Sequence, residues 1–165
     1  GFVILHSGRT SRKHLSLITF ERTWDRSDHW GLLVLPPSQL PVTAEESEYI
    51  SAVIGLEKTH HWSEALKGYQ TALNRWSNSL RIYIGIGNCY YKLGDLKAAE
   101  AILRDANILF PNEGVVLNNL AQVLLEQGKY NEAHESVRKA IQLGGPLSHL
   151  YQKTFEEILF LKDTH

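Results

Sequence analysis

Residues Tyr91–Pro111 read "YKLGDLKAAEAILRDANILFP", and Leu125–Gly145 read "LEQGKYNEAHESVRKAIQLGG", which restates the same pattern 34 residues later. Gly94 is answered by Gly128, Ala99 by Ala133, Ala106 by Ala140 and Leu109 by Leu143. A further step of 34 residues toward the N-terminus aligns Tyr49 with Tyr83, Ala65 with Ala99 and Ala72 with Ala106, while Trp62, Leu96 and Tyr130 share one column. Three contiguous units follow without a gap, 46–79, 80–113 and 114–147. A period of this length restricts the chain to a stack of like supersecondary units, since no single unit buries its own apolar face.

Each unit reads as two helices. First helices are predicted at about Ala44–Lys58, Ser79–Leu93 and Glu113–Gln127, with apolar residues at helical spacing such as Tyr83, Ile86, Gly87 and Tyr90. Gly94 and Gly128 follow, where a left-handed turn residue is needed, and His60 holds that place in the first unit. Second helices are predicted at about Trp62–Arg75, Leu96–Leu109 and Tyr130–Leu143. Their paired alanines permit close helix approach, and Tyr69, Leu103 and Val137 fill the space between. Pro111 and the "GGP" at 144–146 end the second and third units. Residues 148–165 begin as a fourth first helix, and a capping helix at about Leu147–Lys162 is expected.

This pattern resembles the tetratricopeptide repeat, most closely in the second unit, with Tyr83, Ile86, Gly87, Tyr90, Ala99, Leu103, Ala106 and Pro111 in the signature places. The first unit departs from it at Val53, where a small residue is usual, and at Ser77, where Pro is usual, so looser packing is expected there. The resemblance implies a mainly α fold: a helix-turn-helix solenoid of three repeats plus a C-terminal capping helix, following a small α+β segment. It also implies a concave groove lined by fixed columns of the first helices, binding a protein or peptide. In those columns stand Ile50, Ile54, Arg81, Ile84, Asn88, Tyr91, Asn118, Gln122 and Leu125, together with Ser47, Glu57, Lys58, Lys92, Val115 and Glu126. The Asn and Gln side chains offer donors and acceptors to a peptide backbone, and Tyr91 and Arg81 are typical interface anchors. The chaperone-binding version of the repeat clamps a terminal carboxylate with Lys and Asn; Ile50 and Ile54 stand there instead, which disfavours that partner class.

Residues 1–40 are not a repeat. "FVILHS" reads as a strand paired with "RKHLS" across Gly8–Ser11. Ser16 then caps a short helix with Leu17, Phe20 and Trp24 on its apolar face, "HWGLLVLPP" reads as a third strand, and "PPSQLPVTAEE" as a stiff linker, with 41–45 joining the two regions. This order is similar to the C-terminal end of papain-like cysteine peptidases of the double-glycine-leader, bacteriocin-processing type, and Ser16, Leu17, Phe20 and Trp24 match that family's helix. Ser7 stands near the place of the family's Asp. The resemblance implies a bacterial peptidase domain with a repeat tail, placed in the cell envelope or periplasm; without it a cytoplasmic location is as good. The opening "GFVILHSG", with no Met anywhere, reads as a piece of a longer protein.

A net charge of -1 argues against nucleic acid or an anionic membrane held by bulk electrostatics. No apolar run approaches the roughly 20 residues of a membrane helix, so no insertion by this chain is expected. Cys89 is the single cysteine, mid-helix and structural in character, and no cofactor or metal is expected, because His60 and His61 lack the further ligands of a zinc set. Ser7 beside His6 lacks the turn of a nucleophile elbow. The leading reading is therefore a non-catalytic scaffold for a protein or peptide, with self-association through the N-terminal strands or C-terminal helix as a further interaction. The alternative is the tail of a cysteine peptidase whose repeats position a substrate or partner.

Overall fold

The computed structural model describes residues 2–7, 10–16, 18, 19, 22 and 35–164. The chain forms two compact units, residues 1–34 and 35–165. In the first, β1 (Phe2–Ser7) and β2 (Thr10–Ser16) form an antiparallel hairpin with Phe2 opposite Ser16, Val3 opposite Leu15 and Ser7 opposite Thr10. Thr10 and Ser11 belong to β2, so the expected turn is shorter than Gly8–Ser11. Ser16 Oγ accepts from the Thr19 amide at 3.1 Å, the bond expected of a helix cap. Leu17, Phe20, Trp24 and the expected third strand from His29 to Val34 lie outside the described residues.

The second unit is a tetratricopeptide-type stack of seven helices among the described residues: α1 (Glu46–Lys58), α2 (Trp62–Leu73), α3 (Leu80–Lys92), α4 (Leu96–Leu109), α5 (Gly114–Glu126), α6 (Tyr130–Leu143) and α7 (Ser148–Thr164). The expected helices are all present, with α1 starting two residues later and α2 ending two residues earlier than the pattern indicated. Gly94 and Gly128 take φ of 80° and 73°, and His60 takes 61°, so the histidine accepts the same left-handed turn at a steric cost glycine avoids. Asp95 accepts from the Ala98 amide at 3.0 Å and caps α4.

The small-residue columns carry the stack. Ala65, Ala99 and Ala133, and Ala72, Ala106 and Ala140, are all fully buried. Tyr69 reaches across to α3 because Gly85 leaves room: a Cβ there would collide with the Tyr69 ring. Val53 does not loosen the first unit. It is buried because Gly68 of α2 gives way instead, and a Cβ at 68 would lie 2.7 Å from Val53 Cγ2. In the other two units Gly87 and Ala121 are the small partners, and Ile102 and Ser136 stand where Gly68 does. At Gly87 the space is taken by Leu103 of α4, whose side chain a Cβ there would meet at 2.9 Å.

The helices of each row behave differently. The backbones of α1, α3, α5 and α7 each come close to the next of their row, whereas those of α2, α4 and α6 do not among the described residues, and α4 reaches α6 through the Arg104–Glu132 pair. Close spacing along one row and wide spacing along the other curves the stack, with the first helices on the inner side. Polar ties reinforce the joint between the second and third units. Glu100 accepts from Arg104 at 2.7 Å, Lys129 at 2.7 Å and Gln127 at 2.9 Å, and Arg104 also reaches Glu132 at 2.8 Å.

Two measurements test this packing. Gly68→Ala should lower stability by about 1 kcal/mol, the cost of overpacking against Val53 being partly offset by the better helix propensity of alanine. Combined with Val53→Ala, the loss should fall well below the sum of the single losses in a double-mutant cycle of denaturant melts. Separately, Lys129 and then Arg104 and Gln127 hold the Glu100 carboxyl down at about 2 from its ordinary 4.5. A depressed carboxylate stabilises the fold above its unfolded value and loses that contribution as pH falls from about 4.5 toward 2. Glu100→Gln should cost on the order of 1 kcal/mol at pH 7, since Arg104 and Lys129 remain in contact with water, and should flatten the acid limb of the melting curve.

Candidate functional site

The inner row sets which first-helix residues reach solvent. Ile54, Ile84, Asn88, Tyr91 and Val115 are half-buried, and Ser47, Lys58, Arg81, Lys92, Gln122 and Glu126 are exposed. Half-buried apolar residues therefore alternate along the row with exposed polar and charged ones. Ile50 and Leu125 do not belong to its surface. Ile50 is 1% exposed and packs with Val53, Ile82 and Ile86, while Leu125 is 8% exposed and joins the cluster of Leu120, Leu124 and Ile158. Each is buried in a hydrophobic cluster, which the column pattern alone does not distinguish from facing the groove.

Polar groups along the row are partly spent on one another. Asn119 donates to Asn88 Oδ1 at 3.2 Å, joining α5 to α3, and the Tyr91 hydroxyl donates to Glu126 at 3.2 Å. Burial, followed by the Glu126 charge and hydrogen bond and the Glu157 charge, raises the Tyr91 phenol above its ordinary value, so it remains a neutral donor. Lys92 lies over the Tyr91 ring at 5.5 Å. Asn118 is different: it is 6% exposed and its Oδ1 is buried without a hydrogen-bond partner. Glu57 Oε1, in the first unit's column, also makes no hydrogen bond of good geometry, but its carboxylate lies beside the buried Tyr69 hydroxyl. Neither setting is legible in a sequence, where both residues look like ordinary surface polar groups.

Cys89 is fully buried beneath this row. Burial, with the nearby Glu57 charge, pushes its thiol up to about 12, so it is not a thiolate at neutral pH. His60 packs its ring on Trp62 at 5.8 Å, and His61 Nδ1 lies 2.9 Å from Thr59 Oγ1, so the adjacent histidines take separate neighbours. Ser7 sits opposite Thr10 at the end of the hairpin. A separate open depression of about 300 Å³ is lined by Asn107, Pro111, Leu117, Lys139, Gln142 and Leu143, and includes none of the candidate groove residues.

Alkylation of Cys89 by iodoacetamide at pH 7.5 should run at least about 100-fold slower in the native chain than in the denatured one, as expected for a protonated, buried thiol. Comparable rates would place the sulfur at the surface.

Comparison with known proteins matches the repeats by family. Residues 58–113 and residues 115–144 each match a family model described as tetratricopeptide repeat. The peptidase resemblance of the first forty residues gains no support from these matches, and no curated protein matches the sequence. Among solved structures, the Yersinia enterocolitica type III secretion chaperone SycD, in complex with a peptide of the translocator YopD, superposes with a TM-score of 0.65 at 18% identity, covering 74% of this chain and 99% of that one. PcrH, in complex with the chaperone binding region of PopD, gives 0.67 at 19% identity, covering 75% and 99%. The TPR2B domain of yeast Sti1, in a complex with pHsp70, gives 0.66 at 17% identity, covering 70% and 97%. At these identities the likeness establishes the fold.

Proposed function

We propose that this chain, which is a tetratricopeptide repeat protein, binds an extended segment of a partner protein along its inner row of helices and carries out no covalent chemistry there. The observation that carries this reading is the orphaned acceptor Asn118 Oδ1, in a row that also holds half-buried Ile54, Ile84 and Val115 among exposed polar groups such as Arg81 and Gln122. A buried acceptor without a donor is costly to the free protein, and a peptide backbone supplies amide donors at regular intervals. Ile54, Ile84 and Val115 offer apolar contact between those polar points, and Tyr91 is the aromatic anchor. Three of the solved neighbours hold a bound segment of another protein, which agrees with this use of the fold.

The test is selection of binding peptides from a displayed library on the immobilised full chain, then titration of a recovered peptide. Tyr91→Ala and Asn118→Ala should each weaken it at least about tenfold, or 1.4 kcal/mol, with little change in helical content. Lys97→Ala, on a second helix, should leave affinity unchanged. Loss of affinity in Lys139→Ala with none in Tyr91→Ala would place binding at the outer depression instead.

A second reading adds a catalytic context. The hairpin Phe2–Ser16 followed by the Ser16–Thr19 cap keeps the order of the papain-like peptidase ending. In that case the repeats serve a peptidase by holding its substrate or partner. The coding sequence upstream of Gly1 decides it: a Cys within Gln-x-Cys-Gly followed by a His ahead of a strand supports this reading, and an upstream sequence without them ends it.

A further inference from the structure

The segment expected to be a plain linker is instead docked on the first repeat. Residues 36–44 form two successive turns, closed by Gln39 N to Pro36 O at 2.9 Å and by Ala44 N to Pro41 O at 3.1 Å. Pro37 occupies the second position of the first turn, where its fixed φ is favourable. Three carbonyls of this segment are taken up by the array. The Tyr49 hydroxyl donates to Pro37 O at 2.8 Å, and Arg75 Nη1 donates to Pro41 O and to Val42 O at 3.0 Å each. Beneath them, the Tyr49 and Trp76 rings lie 5.9 Å apart, and the Arg75 guanidinium sits 5.2 Å over Trp76, which fixes the direction of its donors.

The hydrogen bonds of the seat all go to main chain. Val42 is 90% exposed, and Ser38, Gln39 and Thr43 are exposed as well, while Pro37, Leu40 and Pro41 are half-buried. Recognition therefore rests on a proline-initiated turn that offers carbonyls at the right spacing, and most side chains of the segment are immaterial to it. Any chain with the same turn satisfies the same donors.

We propose that Tyr49, Arg75 and Trp76 form a second binding seat, separate from the inner-row groove, for a proline-initiated turn of a partner protein, and that residues 36–42 occupy it as a displaceable strap. Tethering gives the strap an effective concentration in the millimolar range, so a free peptide competes poorly until the strap is weakened or the partner is held nearby by a second contact. The groove supplies such a second contact if it binds as proposed above, but the seat does not depend on it.

The test uses the full chain and a fluorescein-labelled peptide of sequence LPPSQLPVTAE, corresponding to residues 35–45. In one variant residues 36–42 are replaced by Gly and Ser at unchanged length, which raises the entropic cost of docking the strap. That variant should bind the peptide at least tenfold more tightly than the parent, by anisotropy. Adding Arg75→Ala should remove the gain, whereas adding Tyr91→Ala should leave it intact, so the seat is judged independently of the groove. Circular dichroism confirms that each variant keeps its helices. If the folded Gly-Ser variant gains no affinity, or its gain survives Arg75→Ala, the proposal is wrong and the strap is a fixed part of the fold. If the parent instead forms dimers by exchanging straps, seen as a concentration-dependent mass, the occupant is a second copy and the assignment to a partner protein is overturned.

Discussion

Close approach between helices, enforced by alanine and glycine at a few buried positions, is the constraint on which the rest of this structure depends. Ala65, Ala72, Ala99, Ala106, Ala133 and Ala140 have no exposed surface. A larger side chain at any of them would push two helices apart, and in a close-packed interior that displacement is felt along the whole element. The turns at Gly94 and Gly128 follow from the same demand, because helices so near one another must be joined by a tight left-handed step. The inner row, its half-buried isoleucines and its polar points all take their spacing from these contacts.

The repeat itself was legible because it is a property of columns, and columns survive without coordinates. The seven helices, the turn glycines and the buried cysteine all follow from that period together with helical spacing. What sequence reasoning missed are relations across columns. Val53 looked like a defect until Gly68 was seen opposite it. Ile50 and Leu125 share columns with groove residues, yet each is buried in a hydrophobic cluster, so burial depends on the surroundings and not on the column alone. Asn118 was named for its hydrogen-bonding capacity, but that its acceptor is stranded comes only from the packing around it. The strap was misread for a different reason. Its composition is that of a linker, and the residues that hold it, Tyr49 and Arg75, lie far along the chain.

Electrostatics divide labour along the stack. The Glu100 cluster spends its charges internally and locks the second unit to the third through Gln127 and Lys129. On the inner row, by contrast, Arg81, Gln122 and Glu126 stay at the surface, and the neutral Tyr91 phenol is held between apolar and acidic surroundings. Fixed charges thus secure a joint, while hydrogen-bonding groups remain open on the face proposed to meet a partner.

The two rows of helices also give the array unequal mechanical compliance. Inner helices abut one another, so compressing that side meets hard side-chain contact at once. Outer helices stand further apart and resist less when the stack is bent at their side, except where the Glu100, Arg104 and Glu132 ties join α4 to the third unit. The array should behave as a hinged spine: stiff in length along its inner edge, soft in curvature and in twist about that edge. Pulling its ends apart would therefore be absorbed first as uncoiling, with the alanine contacts intact, and only at greater extension as separation of one unit from the next.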